Sequence, residues 1–236
     1  MIKTKIINEI QKENQGISLE QFINICLFDK EGYYKKANPI GRSGDFTTSP
    51  EVSQLFGEIL GLYIFNLWQN KFKNKFNLIE LGPGRGTLLI DILRITKSFS
   101  NFHNYSNIYL IEKNDYLIEI QKKNILLNKL EHLNLHWYKD FEEIDKKPSI
   151  IFANEFFDCF PIKQFQIKNN KWYEKIVNFD QKKKIFYYQN LLVKNNRLLE
   201  KLAIYNNNGI AELSEKRENY FRKICKYINQ SSGFII

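Results

Sequence analysis

The stretch Asn77-Leu78-Ile79-Glu80-Leu81-Gly82-Pro83-Gly84-Arg85-Gly86-Thr87 constrains this chain more than any other. An apolar run passes into an acidic residue and then into three glycines at alternate positions. The amphipathic residues Leu88, Leu89, Ile92 and Leu93 follow at once. This is the layout of a strand, a tight turn and a helix, and such a unit holds a nucleotide-type ligand at the end of a parallel strand. Glycine suits the turn because the backbone must bend sharply and let a ligand approach the main chain.

The spacing narrows the ligand. Dinucleotide folds use G-x-G-x-x-G, whereas here the pattern is G-x-G-x-G and Thr87 stands where the third glycine would fall. Glu80 precedes the first glycine by two. The arrangement resembles motif I of class I methyltransferases, which bind S-adenosylmethionine. That resemblance implies a cofactor site at Glu80, Gly82, Gly84 and Gly86. A methyl donor has no pyrophosphate, so its site calls for backbone room and carboxylates rather than an anion cradle. The spacing also disfavours a nicotinamide oxidoreductase.

A second landmark agrees. Asn107-Ile108-Tyr109-Leu110-Ile111-Glu112 reads as the next strand, and Glu112 lies 26 residues after Gly86. A carboxylate there can accept both ribose hydroxyls. From residue 76 the pattern alternates: strands at 76–81, 107–112, 133–137 and 149–153, helices near 86–97 and 114–129. Such alternation predicts a parallel, doubly wound α/β sheet.

Residues 1–70 read as a helical N-terminal region. Ile6, Ile7 and Ile10 mark one helix face, and Ser18-Leu19-Glu20-Gln21 is a capping box opening a second helix. A loop holding Gly44-Asp45-Phe46-Thr47-Thr48 leads to Ser49 as N-cap and Pro50 at the first helical position. Behind them Val52, Leu55, Phe56, Ile59, Leu60, Tyr63, Ile64 and Leu67 form a wide apolar stripe expected to pack in the core. Residues 71–236 form the expected cofactor domain. Within it, β-forming segments at 162–168, 171–178 and 184–193 read as an insertion over about 160–195. A helix near 210–229 precedes the final strand from Gly233.

The formal net charge is +9 in 236 residues, with 43% hydrophobic and 26% charged content. The lysines are scattered apart from Lys182-Lys183-Lys184, so a nucleic-acid partner is not expected. Cys26, Cys159 and Cys225 are widely separated and imply a reducing compartment without disulfides. His103, His132 and His136 form no ligand cluster, so no metal is expected. No apolar run is long enough to span a membrane, and the N-terminus lacks a signal peptide's apolar core. A cytoplasmic location is the expectation.

Three segments in order, Gly44-Asp45-Phe46-Thr47-Thr48-Ser49-Pro50-Glu51, Glu80-Leu81-Gly82-Pro83-Gly84-Arg85-Gly86-Thr87-Leu88 and Ala153-Asn154-Glu155-Phe156-Phe157-Asp158-Cys159-Phe160-Pro161-Ile162, resemble the MidA-like family. These are class I S-adenosylmethionine-dependent methyltransferases of bacteria and mitochondria. The mitochondrial members resemble protein-arginine methyltransferases that help assemble respiratory complex I. The resemblance implies a protein substrate, such as a complex I subunit. It also favours the loop around Asp45 as a lid on the donor site over an ordinary capped loop. Family members are longer, and there the strand begun at Gly233 runs on into an Asp-Tyr-Gly turn. The expectation is therefore a C-terminally truncated or split version with its last strands missing, either inactive or working with a complementing chain.

Methyl transfer is an in-line displacement, so positioning supplies much of its rate. Asp140, after the third strand, is placed either to bond the adenine edge or to sit as a surface acid. Asn154 and Glu155-Phe156-Phe157-Asp158 follow the fourth strand, where this class orients its substrates, with Asn154 on the donor side. If the acceptor is a guanidinium, a carboxylate can grip its fork and favour charge on the other nitrogens. Glu155 is the first choice for that role and Asp158 the second. Phe156 and Phe157 either exclude water there or simply pack. Base methylation is disfavoured, because an Asn-Pro-Pro-Tyr-type segment is absent after strand four.

Overall fold

The computed structural model describes residues 1–35, 49–99, 101–205 and 209–236. In chain order, α1 (Ile2–Lys12), β1 (Ile17–Ser18) and α2 (Leu19–Phe28) precede α3 (Ser49–Val52) and α4 (Gln54–Lys71). Then come β2 (Phe76–Leu81), α5 (Thr87–Thr96), α6 (Phe102–Tyr105), β3 (Ser106–Ile111), α7 (Asp115–Leu127), β4 (Leu135–Tyr138) and β5 (Ser149–Phe152). The remainder is β6 (Lys163–Lys168), β7 (Lys171–Asp180), β8 (Ile185–Leu192), α8 (Asn196–Ala203), β9 (Ile210–Leu213), α9 (Glu215–Ser231) and β10 (Phe234–Ile235).

These elements divide into two units. One comprises Met1–Lys36 and Cys159–Asn219, the other Ala37–Asp158 and Tyr220–Ile236. The sequence grouped 1–70 together; the structure instead assigns α1 and α2 to the first unit and α4 to the second, and α9 passes from one into the other.

The second unit holds the expected sheet, with strand order β10-β5-β2-β3-β4 and every pair parallel. Successive side chains on a strand point to opposite faces, and here the two faces make two cores. Phe76, Leu78, Ile108, Leu110, Ile150 and Phe152 pack with Ile64 and Trp68 of α4 and Leu89 and Ile92 of α5. Ile79, Leu81, Tyr109, Ile111 and Ile151 pack with Phe141, Ile144 and α9's Ile224 and Tyr227. With both faces covered, a continuous apolar run replaces polar alternation; every residue of β2 is buried.

In the first unit the expected β-rich insertion is an antiparallel sheet, order β1-β7-β6-β9, with β8 pairing β7. Ile17 pairs Val177, and Ile6, Ile10, Ile17 and Val177 share one small core. The capping box is present: the Gln21 N–H donates to Ser18 Oγ at 3.1 Å, and the Ser18 N–H to Gln21 Oε1 at 2.8 Å. The 210–229 region differs from expectation, since Ile210–Leu213 pairs with β6 before α9 begins. Lys163, Phe165 and their neighbours supply the ladder partners that draw this segment into a strand.

The helix expected from Pro50 onward comes in two pieces. Ser53 adopts extended backbone (φ −146°, ψ 122°), and its hydroxyl accepts the Leu55 N–H, so it caps α4 and ends α3. The stripe expected in the core is also largely exposed: Val52 is 69% exposed, Leu55 and Ile59 59%, and Tyr63 55%. The buried face of α4 is Gly57, Gly61, Ile64 and Trp68. A Cβ at Gly57 would fall 2.5 Å from Asp91 Cβ, and one at Gly61 2.6 Å from Ile95 Cγ2. Close approach to α5 selects the glycine face, and the bulky face is left to water. Among the described residues no helix is long and apolar enough to cross a membrane.

Candidate functional site

The site grows from the order of the parallel strands. β2 lies between β3 and β5, so the chain leaves β2 toward one side and returns on the other. Ligands of open α/β sheets bind beyond the carboxyl ends of the strands at such a switch point. The glycine turn after β2 and the 153–158 loop after β5 meet there. Gly82 has φ +63°, and a Cβ on it would fall 2.7 Å from Phe156 Cδ2. Both facts demand glycine. Gly84 (φ +55°) and Gly86 (φ +80°) continue the left-handed backbone, and Gly86 is the N-cap of α5. The first-turn amides of α5 thus begin beside the turn without intrahelical partners.

Glu80 is only 3% exposed, and its Oε2 has no hydrogen-bond partner. Burial, and then the nearby Glu112 charge, push its carboxyl up to about 8. Glu112, just beyond β3, is also buried and accepts the Asn114 N–H at 2.8 Å. Burial raises its pKa; backbone hydrogen bonds, the Lys139 charge and a hydrogen bond from Gln121 oppose that rise without cancelling it. A buried carboxyl oxygen without a partner costs free energy unless a cation or donor meets it. The pair therefore fits a ligand with positive charge and hydroxyl groups.

Asp140 lies after β4, at the same end of the sheet. Its carboxylate accepts the Glu142 N–H at 3.2 Å, capping the short turn Phe141–Glu143. Asn154 is half-buried after β5, and Glu155 and Asp158 are exposed. Glu155 has φ +52°. Left-handed backbone at a non-glycine residue is uncommon, and it concentrates at functional sites. Phe156 packs edge-on against Phe157 at 5.3 Å and lies 5.3 Å from the Tyr220 ring. Phe157 packs against Phe221 at 6.0 Å. The aromatics thus cover the turn as well as one another. Asp45 and the loop expected to act as a lid lie outside the described residues.

Five side chains at the site, Glu51, Arg85, Thr87, Gln121 and Asn124, have no role in the sequence reading. Thr87 Oγ1 donates to Glu51 Oε1 at 2.7 Å, and Arg85 Nε stands 3.9 Å from the same carboxylate, tying α3 to the turn. Gln121 Nε2 donates to the Gly84 carbonyl at 2.8 Å, and Asn124 Nδ2 to the Arg85 carbonyl at 3.0 Å. The only sequence signal for the last two is a pair of amides three apart on α7, the spacing that shares a helix face. Among the described residues no group of three or more His, Cys, Asp or Glu is arranged to hold a metal.

Parallel sheet, glycine turn and paired strand-end acids together define an α/β protein of the class I methyltransferase type. A family model described as "Putative S-adenosyl-L-methionine-dependent methyltransferase" matches residues 59–236, and the chain belongs to that family. The chain is 36% identical over 190 residues to the protein arginine methyltransferase NDUFAF7, mitochondrial, of Bos taurus, covering 72% of this chain and 43% of that protein. The Homo sapiens protein of the same name gives 36% over 190 residues, with the same shares of 72% and 43%. The chain thus spans less than half the length of these curated relatives. In three dimensions it is similar to a Burkholderia thailandensis protein crystallised with S-adenosyl-homocysteine, with a TM-score of 0.79. That match covers 95% of this chain and 58% of the other at 18% identity, a likeness of fold.

Proposed function

We propose that this chain binds S-adenosylmethionine at the switch point between β2 and β5 and acts as a methyltransferase on protein arginine. The observation that carries the donor site is Glu80: a fully buried carboxyl, one oxygen unpartnered, directly ahead of a left-handed glycine turn. When bound, S-adenosylmethionine supplies an activated methyl group on a sulfonium. Glu80 and the backbone of Gly82, Gly84 and Gly86 would hold its cationic methionine end, and Glu112 its ribose hydroxyls. Asp140 would face the adenine, and Asn154 would line the donor side.

The acceptor reading rests on the names of the relatives and on chemistry. Glu155 and Asp158 are exposed, so a protein chain can reach them. A carboxylate grips a guanidinium through two parallel hydrogen bonds and orients one nitrogen. Glu155 would make that grip and Asp158 would support it, while Phe156 and Phe157 keep water from the reacting side. A respiratory complex I subunit is the acceptor the family resemblance favours. For location we keep the cytoplasmic reading, which cell fractionation tests; the two relatives are mitochondrial by name.

Calorimetric titration of the chain with S-adenosyl-homocysteine tests the donor site. Micromolar binding that is lost in Glu80→Ala is expected. A folded chain that does not bind overturns the proposal. Transfer of labelled methyl from S-adenosylmethionine to arginine in a mitochondrial or bacterial extract tests the acceptor; label on lysine or on nucleic acid instead overturns the arginine assignment.

A further inference from the structure

The glycine turn is held from behind. Its two successive carbonyls, Gly84 and Arg85, accept from Gln121 and Asn124 of one face of α7. Gln121 is itself fixed. It is completely buried, and the Trp137 indole N–H of β4 donates to its Oε1 at 2.9 Å. An indole nitrogen only donates, so the amide oxygen must face Trp137 and the NH₂ must face Gly84. Gln121 also stands beside Glu112 and favours its charged form, and its Cγ would lie 3.4 Å from a Cβ placed on Gly86. One side chain thus touches the glycine turn, the acid after β3 and the edge strand β4.

We propose that Gln121 and Asn124 are positioning residues for methyl-donor binding: together they fix the peptide planes of the glycine turn and, through Gln121, the ribose-side carboxylate. The proposal rests on the donor-site reading above. In a trans peptide the C=O and the following N–H point in opposite directions. Holding the Gly84 carbonyl against α7 therefore turns the Arg85 N–H away from that helix. Glycines permit many turn conformations, and the two amides select one before any ligand arrives. The advantage is pre-organisation, since ordering done in the free protein is not charged against binding.

Two measurements test this. The first is hydrogen exchange on the unliganded chain. In Gln121→Ala and Asn124→Ala, amides of residues 82–87 should exchange faster while those of β2 and β3 keep their rates. Unchanged exchange at the turn overturns the clamp whatever the ligand. The second is titration with S-adenosyl-homocysteine, with Glu119→Ala on the exposed face of α7 as control. Each alanine variant should lose about tenfold in affinity, the worth of one buried hydrogen bond, and the control should lose none.

Gln121→Glu separates positioning from mere packing. The introduced carboxyl keeps an acceptor for Trp137 but donates to Gly84 only when protonated. Its affinity relative to the unaltered chain should be near one at low pH and fall about tenfold as pH rises. The introduced carboxyl lies beside Glu112 and alters its titration, so the same ratio is also taken in a Glu112→Gln background, where only the introduced carboxyl differs between the two chains. A ratio flat across pH, with only the melting temperature lowered, overturns the positioning role. If the unaltered chain binds no S-adenosyl-homocysteine, the donor reading and the purpose given to the clamp both fall, and the exchange data still show whether the amides hold the turn.

Discussion

Two pairs of carboxylates stand at the same end of one sheet in opposite surroundings. Glu80 and Glu112 are sealed beneath the glycine turn, with Glu80 pushed up to about 8 by burial and by its neighbour's charge. Glu155 and Asp158, beyond the adjacent strand, are exposed to water. A buried acid holds a proton until a cation or hydrogen-bond donor takes its place, so it suits a small ligand that can be enclosed. An exposed acid is already hydrated, and it suits a large ligand that comes and goes at the surface. On the proposed assignment, the donor-side and acceptor-side acids differ in solvent access rather than in residue type.

The comparison can be broken from either side, and the buried side should respond most. Gly82→Val combines a left-handed φ with a collision on the Phe156 ring. It should cost about 3–5 kcal/mol or prevent folding, measured by urea unfolding. Glu80→Gln comes next. The carboxyl's ordinary pKa of 4.5 is raised in the fold, so between pH 4.5 and about 8 the native state binds the extra proton. Stability is then complete below pH 4.5 and falls as pH rises through 8. The neutral amide cannot ionise, so at pH 9 the variant should be more stable than the unaltered chain by roughly 2–4 kcal/mol and equal to it near pH 4. Parallel curves for the two chains would contradict a buried, protonated Glu80.

On the exposed side, Glu155→Gln should leave S-adenosyl-homocysteine affinity unchanged and lower the methyl-transfer rate at least about tenfold, the worth of a charge-assisted contact. Glu155→Gly should lower the rate as well, yet raise stability by about 1 kcal/mol by relieving the left-handed backbone. Smallest is Asp140→Ala. Loss of the cap on Glu142 should cost about 0.5–1 kcal/mol. A fall in donor affinity alongside it would support the adenine role, and unchanged affinity would leave Asp140 a cap.

The parallel strands were legible because each is an apolar run closed by a turn signal, and the strand-end acids were legible because they follow those runs directly. What escaped depended on partners distant in sequence. Gln121 and Asn124 meet carbonyls 37 and 39 residues away, and no local pattern says which amide will find which carbonyl. The inner face of α4 was misread for a physical reason. Hydropathy favours burying the large apolar residues, whereas a close helix crossing rewards the absence of side chains at Gly57 and Gly61. The 210–213 strand failed similarly, because its ladder partners lie 44 to 50 residues earlier, from Gln166↔Ile210 to Lys163↔Leu213.

The pairing of Ile17 with Val177 has a consequence for the order of synthesis. These partners are 160 positions apart. At about 5–20 residues per second on the ribosome, β1 waits roughly 8–30 s for β7. Throughout that interval Ile6, Ile10 and Ile17 have no strand to cover them. The interval is a window in which a nascent chain invites chaperone capture, and the first helices should be the segment that is held.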